Sequence, residues 1–472
     1  MRRVGYSGHY RSPVRREPEA SFLSFSACSR GEVERPKINV GFMSWRNFIL
    51  CAFVAALPAC GGAGSSWAGT ALPLNRSVAR PDSSSGNPIK HVVIVIQTNR
   101  SFDNLFATFP GADGATSGET YDGKAINLKA SNLYNPKLFQ NARAAFLVDY
   151  DGGKMDGWSS VYVNRHRCPA CAYEYVNPSQ IRPYWTMAKQ YALADHMFPT
   201  ENSGDFSSHQ DLIRGDSAIN DRESMIDFPS HGPWGCDAQQ GTTTPLITNT
   251  EQYIKRGPAP CLGPSYATLR DLLDAKSVTW KYYAPTLFNG GLAGAYWDPF
   301  DAIKAVRNGP EWATNISSPE TNIFSDISNG KLAAVSWVSP NDTNSDHAGF
   351  GKADTGPSWV AQIVNAVGKS QYWQSTAVIV VWEDWGGWYD HVPPPQLDYA
   401  GLGIRVPMIV VSPYAKAHYI SHTQYEFGSI VRFVEDVWTL GRLGTTDGRA
   451  ASMDDVFDFT QKARKFTLIP TK

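Results

Sequence analysis

Thr376-Ala377-Val378-Ile379-Val380-Val381-Trp382-Glu383-Asp384-Trp385-Gly386-Gly387 is the stretch on which the fold turns. β-branched, small and aromatic residues run unbroken to Trp382, then meet two adjacent carboxylates and a glycine pair. A continuous run of this kind reads as a strand buried on both faces. His91-Val92-Val93-Ile94-Val95-Ile96 repeats the pattern, and strands are also expected at Val278–Ala284, Leu332–Val338 and Arg405–Val411. Between them lie helix-like segments at Pro183–Ala194, Ala267–Ala275, Asp301–Asn308, Asn322–Ser328, Ser358–Lys369 and Phe427–Leu440. A further helix start follows the first strand, with Ser101 as its cap. The alternation predicts an α/β fold with a mostly parallel central sheet and helices on both faces. In such sheets ligands bind beyond the carboxyl ends of the strands. The residues after Ile96, Val338 and Trp382 are therefore the places to look for chemistry.

Working outward, the chain has 472 residues, 43 Lys+Arg against 44 Asp+Glu and a formal net charge of -1. No basic excess points to nucleic acid. Hydrophobic residues at 42% and charged ones at 18% exclude disorder throughout. The length fits two or three average domains or one large α/β domain. With 40 Gly and 31 Pro the body reads as rich in loops.

Residues 1–75 stand apart as a dispensable leader, export signal and linker, followed by the main domain at 76–472. Within 43–59, Arg46 precedes an apolar run of about ten residues, which is too short for the roughly 20 that span a membrane and fits the apolar core of an export signal. Met43 is the expected start, with residues 1–42 as an extension; a disordered leader is the alternative. Leu57-Pro58-Ala59-Cys60 resembles a lipobox, although Pro58 is unusual there, and the Gly61–Ser66 tether follows it. The rival is cleavage near Ala68 or Gly69. Removal up to Ala59 takes away nine basic and four acidic residues and leaves a net charge of -6. The protein is thus expected to be exported, to bind no nucleic acid, and to reach a membrane only through a lipid anchor at Cys60.

Cys168, Cys171, Cys236 and Cys261 remain after the leader, an even number that suits two disulfides in an oxidising compartment. Cys168-Pro-Ala-Cys171 also has the spacing of a redox motif or half a zinc site. Its polar, aromatic setting favours a structural disulfide, and the pairing stays open. The Gly/Pro/Cys-rich segment near 229–265 reads as a surface insertion.

Two adjacent carboxylates at a strand end are costly unless a cation or solvent compensates them. A cation held by oxygen ligands is the simplest account, and a solvated turn is the plain alternative. Trp382, Trp385, Trp388 and Tyr389 crowd the same motif, either as core or as the wall of a pocket for an apolar or choline-like group. Arg100 and Asp103 have the spacing of an ordinary helix pair. His209 is expected to brace its helix or join the site, His91 to be structural, and His418 and His422 to lie on the surface.

HVVIVIQTNRSFDNLF, HQDLIRG, WEDWGGWYDHVPPP and SPYAKAHYISHTQYEFGSIVRFVED together resemble the phosphoesterase family of bacterial phospholipases C and acid phosphatases. The likeness runs from about His91 to Phe466. It implies an alkaline-phosphatase-like fold and metal-dependent hydrolysis of phosphate esters, phospholipids among them. It implies a divalent metal ion held at Thr98, Asn99, Glu383 and Asp384. The family's hydroxyl nucleophile falls ten residues before Gly215, on Asp205. His347 matches a His expected near the phosphate, and His391 matches the family's Asp-His-Val.

Two positions depart from the pattern. Thr98 stands where the family has Glu, and Asp205 stands where it has a hydroxyl. One carboxylate is lost and one gained, which preserves the site's formal charge and adds Asp205 to the expected ligands. Asp205 can attack phosphorus as a carboxylate or act as a ligand that helps activate water. Alternatively Ser203, Ser207 or Ser208 takes over as nucleophile; Ser207 is carried with Asp205, His347 and His391 as the catalytic set. Oxygen ligands fit Ca²⁺, Mg²⁺ or Mn²⁺, and His would admit Zn²⁺. The rival functions are a catalytically weakened family member that acts by binding, and a redox protein using Cys168 and Cys171.

Overall fold

The computed structural model describes residues 86–164, 166–286, 293–349 and 354–472. The expected export signal at 43–59, the Cys60 lipobox and the Gly61–Ser66 tether lie outside the described residues. Nine strands form the central sheet: β1 (His91–Gln97), β2 (Ala192–Phe198), β3 (Trp280–Tyr283), β4 (Ile316–Ser317), β5 (Val335–Val338), β6 (Thr376–Trp382), β7 (Val406–Val411), β8 (Tyr419–Ser421) and β9 (Tyr425–Glu426). Their order is β4-β3-β5-β1-β6-β7-β2-β8, with β9 also on β2. All run parallel except β7, which is antiparallel to both β6 and β2. Every residue of β5, β6 and β7 is buried, as continuous apolar runs require of strands covered on both sides.

The principal helices are α1 (Phe102–Phe106), α2 (Arg143–Tyr150), α3 (Arg182–Gln190), α4 (Asp205–Arg214), α5 (Leu269–Ala275), α6 (Asn322–Ser328), α7 (Gly356–Lys369) and α8 (Phe427–Trp438). Helix α7 packs with α3 and α6, and α4 packs with α5 and α8, as two layers flanking the sheet. Local chemistry sets their ends. Ser101 caps α1 by accepting from the Asn104 amide, Thr268 and Asp271 form a capping box on α5, and Gly215 closes α4 in the left-handed conformation.

Two expectations are corrected. The segment Pro183–Ala194 is not one helix: α3 ends at Gln190 and β2 begins at Ala192. Ala192, Leu193 and Ala194 pair with Val410, Ile409 and Met408 on one side and with Tyr419, Ile420 and Ser421 on the other. This two-sided pairing outweighs the helix propensity of Ala and Leu. Asp301–Asn308 is broken at Ile303 into a 3-10 turn, Pro299–Ala302, and a short helix, Lys304–Arg307. A small four-stranded antiparallel sheet lies between Ala218 and Ile254 and takes its last two strands, Leu246–Thr248 and Tyr253–Ile254, from the segment 229–265. Both expected disulfides form, Cys168–Cys171 and Cys236–Cys261.

The sheet positions the site. Gln97 stands opposite Trp382 in the parallel register of β1 and β6, so Thr98 and Glu383 leave the sheet side by side. The Glu383 amide donates to the Gln97 carbonyl at 3.0 Å. Strand β2 runs the same way, and its carboxyl end leads through Pro199–Gly204 to Asp205.

Candidate active site

Asp205, Glu383 and Asp384 converge at this edge, each buried, with one carboxylate oxygen of each within 4.8 Å of the others. Asn99 holds them together from a left-handed backbone, φ 56°, a conformation Asn tolerates better than most residues. Its amide N–H donates to Glu383 Oε2 at 3.0 Å. Its Nδ2 donates to Asp384 Oδ1 at 2.8 Å and to Asp205 Oδ1 at 3.2 Å. The turn behind the acidic pair requires glycine at 386. There φ is +60°, and a Cβ would lie 2.2 Å from the Asn99 carbonyl oxygen. The Gly386 amide in turn donates to Asp384 Oδ1 at 2.7 Å.

Asn141 completes the arrangement. Its Nδ2 donates to Asp384 Oδ2 at 2.6 Å and to Asp205 Oδ1 at 3.2 Å. It sits in a loop just before α2, 243 residues from Asp384 in sequence, and nothing in its local sequence singles it out. Asp205 is the first residue of α4, where the helix dipole favours negative charge.

Burial pushes the Glu383 carboxyl well above the ordinary range, and the charges of Asp384 and Asp205 push it further. Asp384 is raised in the same way, by burial first and then by Asp205. The hydrogen-bond donors to the cluster are neutral amides. Thr98 Oγ1, Asn99 Oδ1 and Glu383 Oε1 are buried oxygens without a hydrogen-bond partner. Three converging carboxylates with orphaned oxygens around them fit a hard divalent cation, which takes oxygen ligands and supplies the missing charge.

His347 lies at the end of the loop after β5. That loop is tied to β1 by Gln97, whose Nε2 donates to the Asn344 carbonyl at 2.9 Å and whose Oε1 accepts from the Asp346 amide at 3.1 Å. The His347 ring stacks on Trp297, with centroids 6.0 Å apart, and Nδ1 lies 2.6 Å from the Ala348 carbonyl. Burial lowers its pKa, while the charge of Asp205 works the other way, so it stands within electrostatic reach of the cluster. His209 is buried on α4, one turn beyond Asp205. Burial lowers its pKa to about 4.

Other residues are placed elsewhere. The Ser207 hydroxyl donates back to the Gly204 carbonyl at 3.3 Å, and Ser203 donates to Asp227 Oδ1 at 2.9 Å. His391 joins a separate set: Nδ1 lies 2.7 Å from Asp103 Oδ2 and Nε2 lies 3.2 Å from Asp113 Oδ1. Burial opposes charge on His391, but the bond to Asp103 and the charges of Asp103 and Asp390 outweigh it and hold the pKa up at about 9. The Arg100–Asp103 pair does not form. Arg100 donates to the Asp346 and Leu133 carbonyls and to Asn104, whereas Asp103 faces Arg405 and His391. Trp382, Trp385 and Trp388 are fully buried, Trp388 edge-on to Phe139 at 4.6 Å, so they are core beneath the site.

The three carboxylates gather at the carboxyl ends of the strands, where open α/β sheets bind their ligands. The particular family follows from the sequence match. Residues 89–441 match the model of the phosphoesterase family, and the chain belongs to it as a hydrolase acting on phosphate esters. Phospholipase C A of Mycobacterium tuberculosis is 21% identical over 431 residues, covering 79% of this chain and 77% of its own length. Non-hemolytic phospholipase C of Pseudomonas aeruginosa is 23% identical over 406 residues, covering 74% of this chain and 53% of its own length. Non-specific phospholipase C1 of Arabidopsis thaliana is 22% identical over 409 residues, covering 75% and 67%.

Proposed function

We propose that this phosphoesterase is exported and cation-dependent, and that it cleaves phosphodiesters of the phospholipid type. Asp205, Glu383 and Asp384 hold a divalent ion, with Asn99 and Thr98 as further oxygen donors. The observation that carries this reading is the convergence of three buried carboxylates whose hydrogen-bond donors are neutral. When bound, such an ion supplies positive charge that stabilises the phosphoryl oxygens and lowers the pKa of an attacking oxygen. The phospholipase C names of the relatives support the substrate class. Export is supported by the apolar run within 43–59 and by the two disulfides.

Asp205 takes the place of a hydroxyl nucleophile, and its carboxylate is shared with Asn99 and Asn141. Its role is that of a ligand that orients and deprotonates water. The water oxygen attacks phosphorus, the alcohol leaves with a proton, and no covalent enzyme intermediate forms. Asn99 and Asn141 fix the carboxylates in register, and His347 faces the same charge as a proton carrier.

Hydrolysis of a chromogenic phosphocholine diester and of a phosphate monoester, with EDTA and with added divalent ions, tests the reading. Activity is expected to vanish on chelation and to return with metal, with the diester preferred. Full turnover by the metal-stripped chain would overturn it. A silent natural chain that a Thr98→Glu, Asp205→Ser double variant activates by orders of magnitude would instead mark a binding member of the family.

A further inference from the structure

Away from the three-carboxylate cluster, strand β2 carries a second group of ligand-type side chains. Asp195 is fully buried, and its carboxylate lies between two imidazoles. His196 Nδ1 is 2.8 Å from Asp195 Oδ1. His422 Nδ1 is 3.0 Å from Oδ1 and 2.8 Å from Oδ2 of the same carboxylate. One ligand-capable atom from each of the three residues lies within 4.8 Å of the others. The imidazole rings are 6.3 Å apart and nearly perpendicular, at 82°. The site is open to solvent on one side, because the His422 side chain is 59% exposed and that of His196 is 24% exposed.

The surroundings are short of positive charge. The Asp113 amide donates to Asp195 Oδ2 at 2.8 Å, and Asp113 joins Asp195 to the set formed by Asp103 and Asp390. Arg405 faces Asp390 at 3.1 Å, Asp103 at 3.4 Å and Asp113 at 3.8 Å. His391 bonds to Asp103 and Asp113. Three carboxylates, those of Asp103, Asp113 and Asp390, therefore share one guanidinium and the His391 imidazole. The Asp195 carboxylate stands at the other end, against His196 and His422.

We propose that Asp195, His196 and His422 form a second cation site, separate from the carboxylate cluster, for a zinc-type divalent transition metal. Two imidazole nitrogens and one carboxylate oxygen are the donors such an ion prefers, with water to complete the shell. The oxygen-only cluster at Asp205 suits a harder cation. His196 also has the orientation of a metal ligand. Its Nδ1 faces the site, and Nε2 points to Asp113 Oδ2 at 3.4 Å, the outer carboxylate contact that fixes a ligating ring. Asp195 and His196 lie in β2, and His422 lies between β8 and β9, both of which pair with β2. A bound ion fastens this edge of the sheet, so its effect is on stability.

The test uses the full chain, stripped of metal, loaded with Zn²⁺ or Co²⁺, desalted and assayed for bound metal and thermal midpoint. Wild type is compared with His196→Ala/His422→Ala and with Glu383→Gln/Asp384→Asn. The histidine variant is expected to retain one equivalent of zinc fewer than wild type, to bind zinc at least about tenfold more weakly, and to lose the zinc-induced rise in midpoint. The carboxamide variant is expected to keep that equivalent, that rise and the visible absorption of nitrogen-ligated Co²⁺. His422→Gln, at an exposed side chain, supplies the same comparison should the double variant fail to fold. Equal zinc binding by the histidine variants and wild type would overturn the proposal, as would loss of all bound zinc in Glu383→Gln/Asp384→Asn. Equal binding by the histidine variants leaves the reading of the carboxylate cluster untouched, and zinc lost wholly with Glu383→Gln/Asp384→Asn would assign it to that cluster, which the EDTA assay scores separately.

Discussion

Glu383→Gln is the substitution that best separates a cation site from an ordinary buried acidic turn. Glu383, Asp384 and Asp205 place carboxylate oxygens within 4.8 Å of each other. At an effective dielectric of about 20, each charged pair costs on the order of 3 kcal/mol. Without a cation the protein relieves this by taking up a proton, and Glu383 is raised well above its ordinary value of 4.5 by burial and by both neighbours. A group raised in the folded state stabilises the fold fully only below its unfolded pKa and loses that contribution as pH rises. At pH 7 the cost reaches at most about 3 kcal/mol, set by about 1.4 kcal/mol per pH unit above the unfolded value. Glutamine is neutral without that cost. It keeps the shape and accepts the Asn99 amide through its own carbonyl.

In chelator at pH 7, Glu383→Gln is therefore expected to be more stable than wild type by up to about 3 kcal/mol. Unfolding entropy for a domain of about 390 residues is about 0.8 kcal/mol/K, so the midpoint rises by up to about 4 °C. The gain shrinks to nothing as pH falls toward the unfolded carboxyl value. With saturating divalent ion the order reverses, because binding stabilises only the wild type. Calorimetry at several pH values, with EDTA and with metal, measures all three features. A variant less stable than wild type in EDTA at pH 7, or an advantage that does not shrink on acidification, would refute the reasoning.

Gly386→Ala is expected to destabilise by about 1–3 kcal/mol and to abolish activity, because its Cβ meets the Asn99 carbonyl at 2.2 Å; thermal midpoints and diester hydrolysis check both. Asn141→Ala removes donors to Asp384 and Asp205 and should lower kcat/KM about 10- to 100-fold with the fold intact, read by steady-state kinetics with circular dichroism as control. His391 has its folded pKa raised to about 9. Its contribution is fully present below about pH 6.5 and is lost as pH rises through 9. The stability gap between wild type and His391→Ala, measured by urea unfolding, should therefore be largest at low pH and narrow across that window.

Much of the fold was legible because burial leaves a local trace. The unbroken runs at His91–Ile96 and Thr376–Trp382 could only be strands covered on both faces, and both match β1 and β6 closely. The strand-end rule then placed chemistry at Glu383–Asp384 and beside Asn99, where the carboxylates are found. The family resemblance, counted back ten residues from Gly215, pointed to Asp205, which opens helix α4 with Gly215 as its stop. Four cysteines were enough to expect two disulfides.

What tertiary structure alone decided depends on contacts between residues far apart in the chain. Asn141 reaches Asp384 across 243 residues, and no periodicity or motif records such a meeting. Ala192–Phe198 became a strand, and Val406–Val411 ran antiparallel, through pairing partners elsewhere in the sheet. The shared label of an Asp-His-Val motif could not show that His391 turns to Asp103, in the set with Asp390 and Arg405, apart from the carboxylate cluster. The sequence by itself determined which residues are buried and which carboxylates end strands, since both follow from spacing along the chain. The folded sheet decided which of them face one another, since register and crossover order bring the strand ends together.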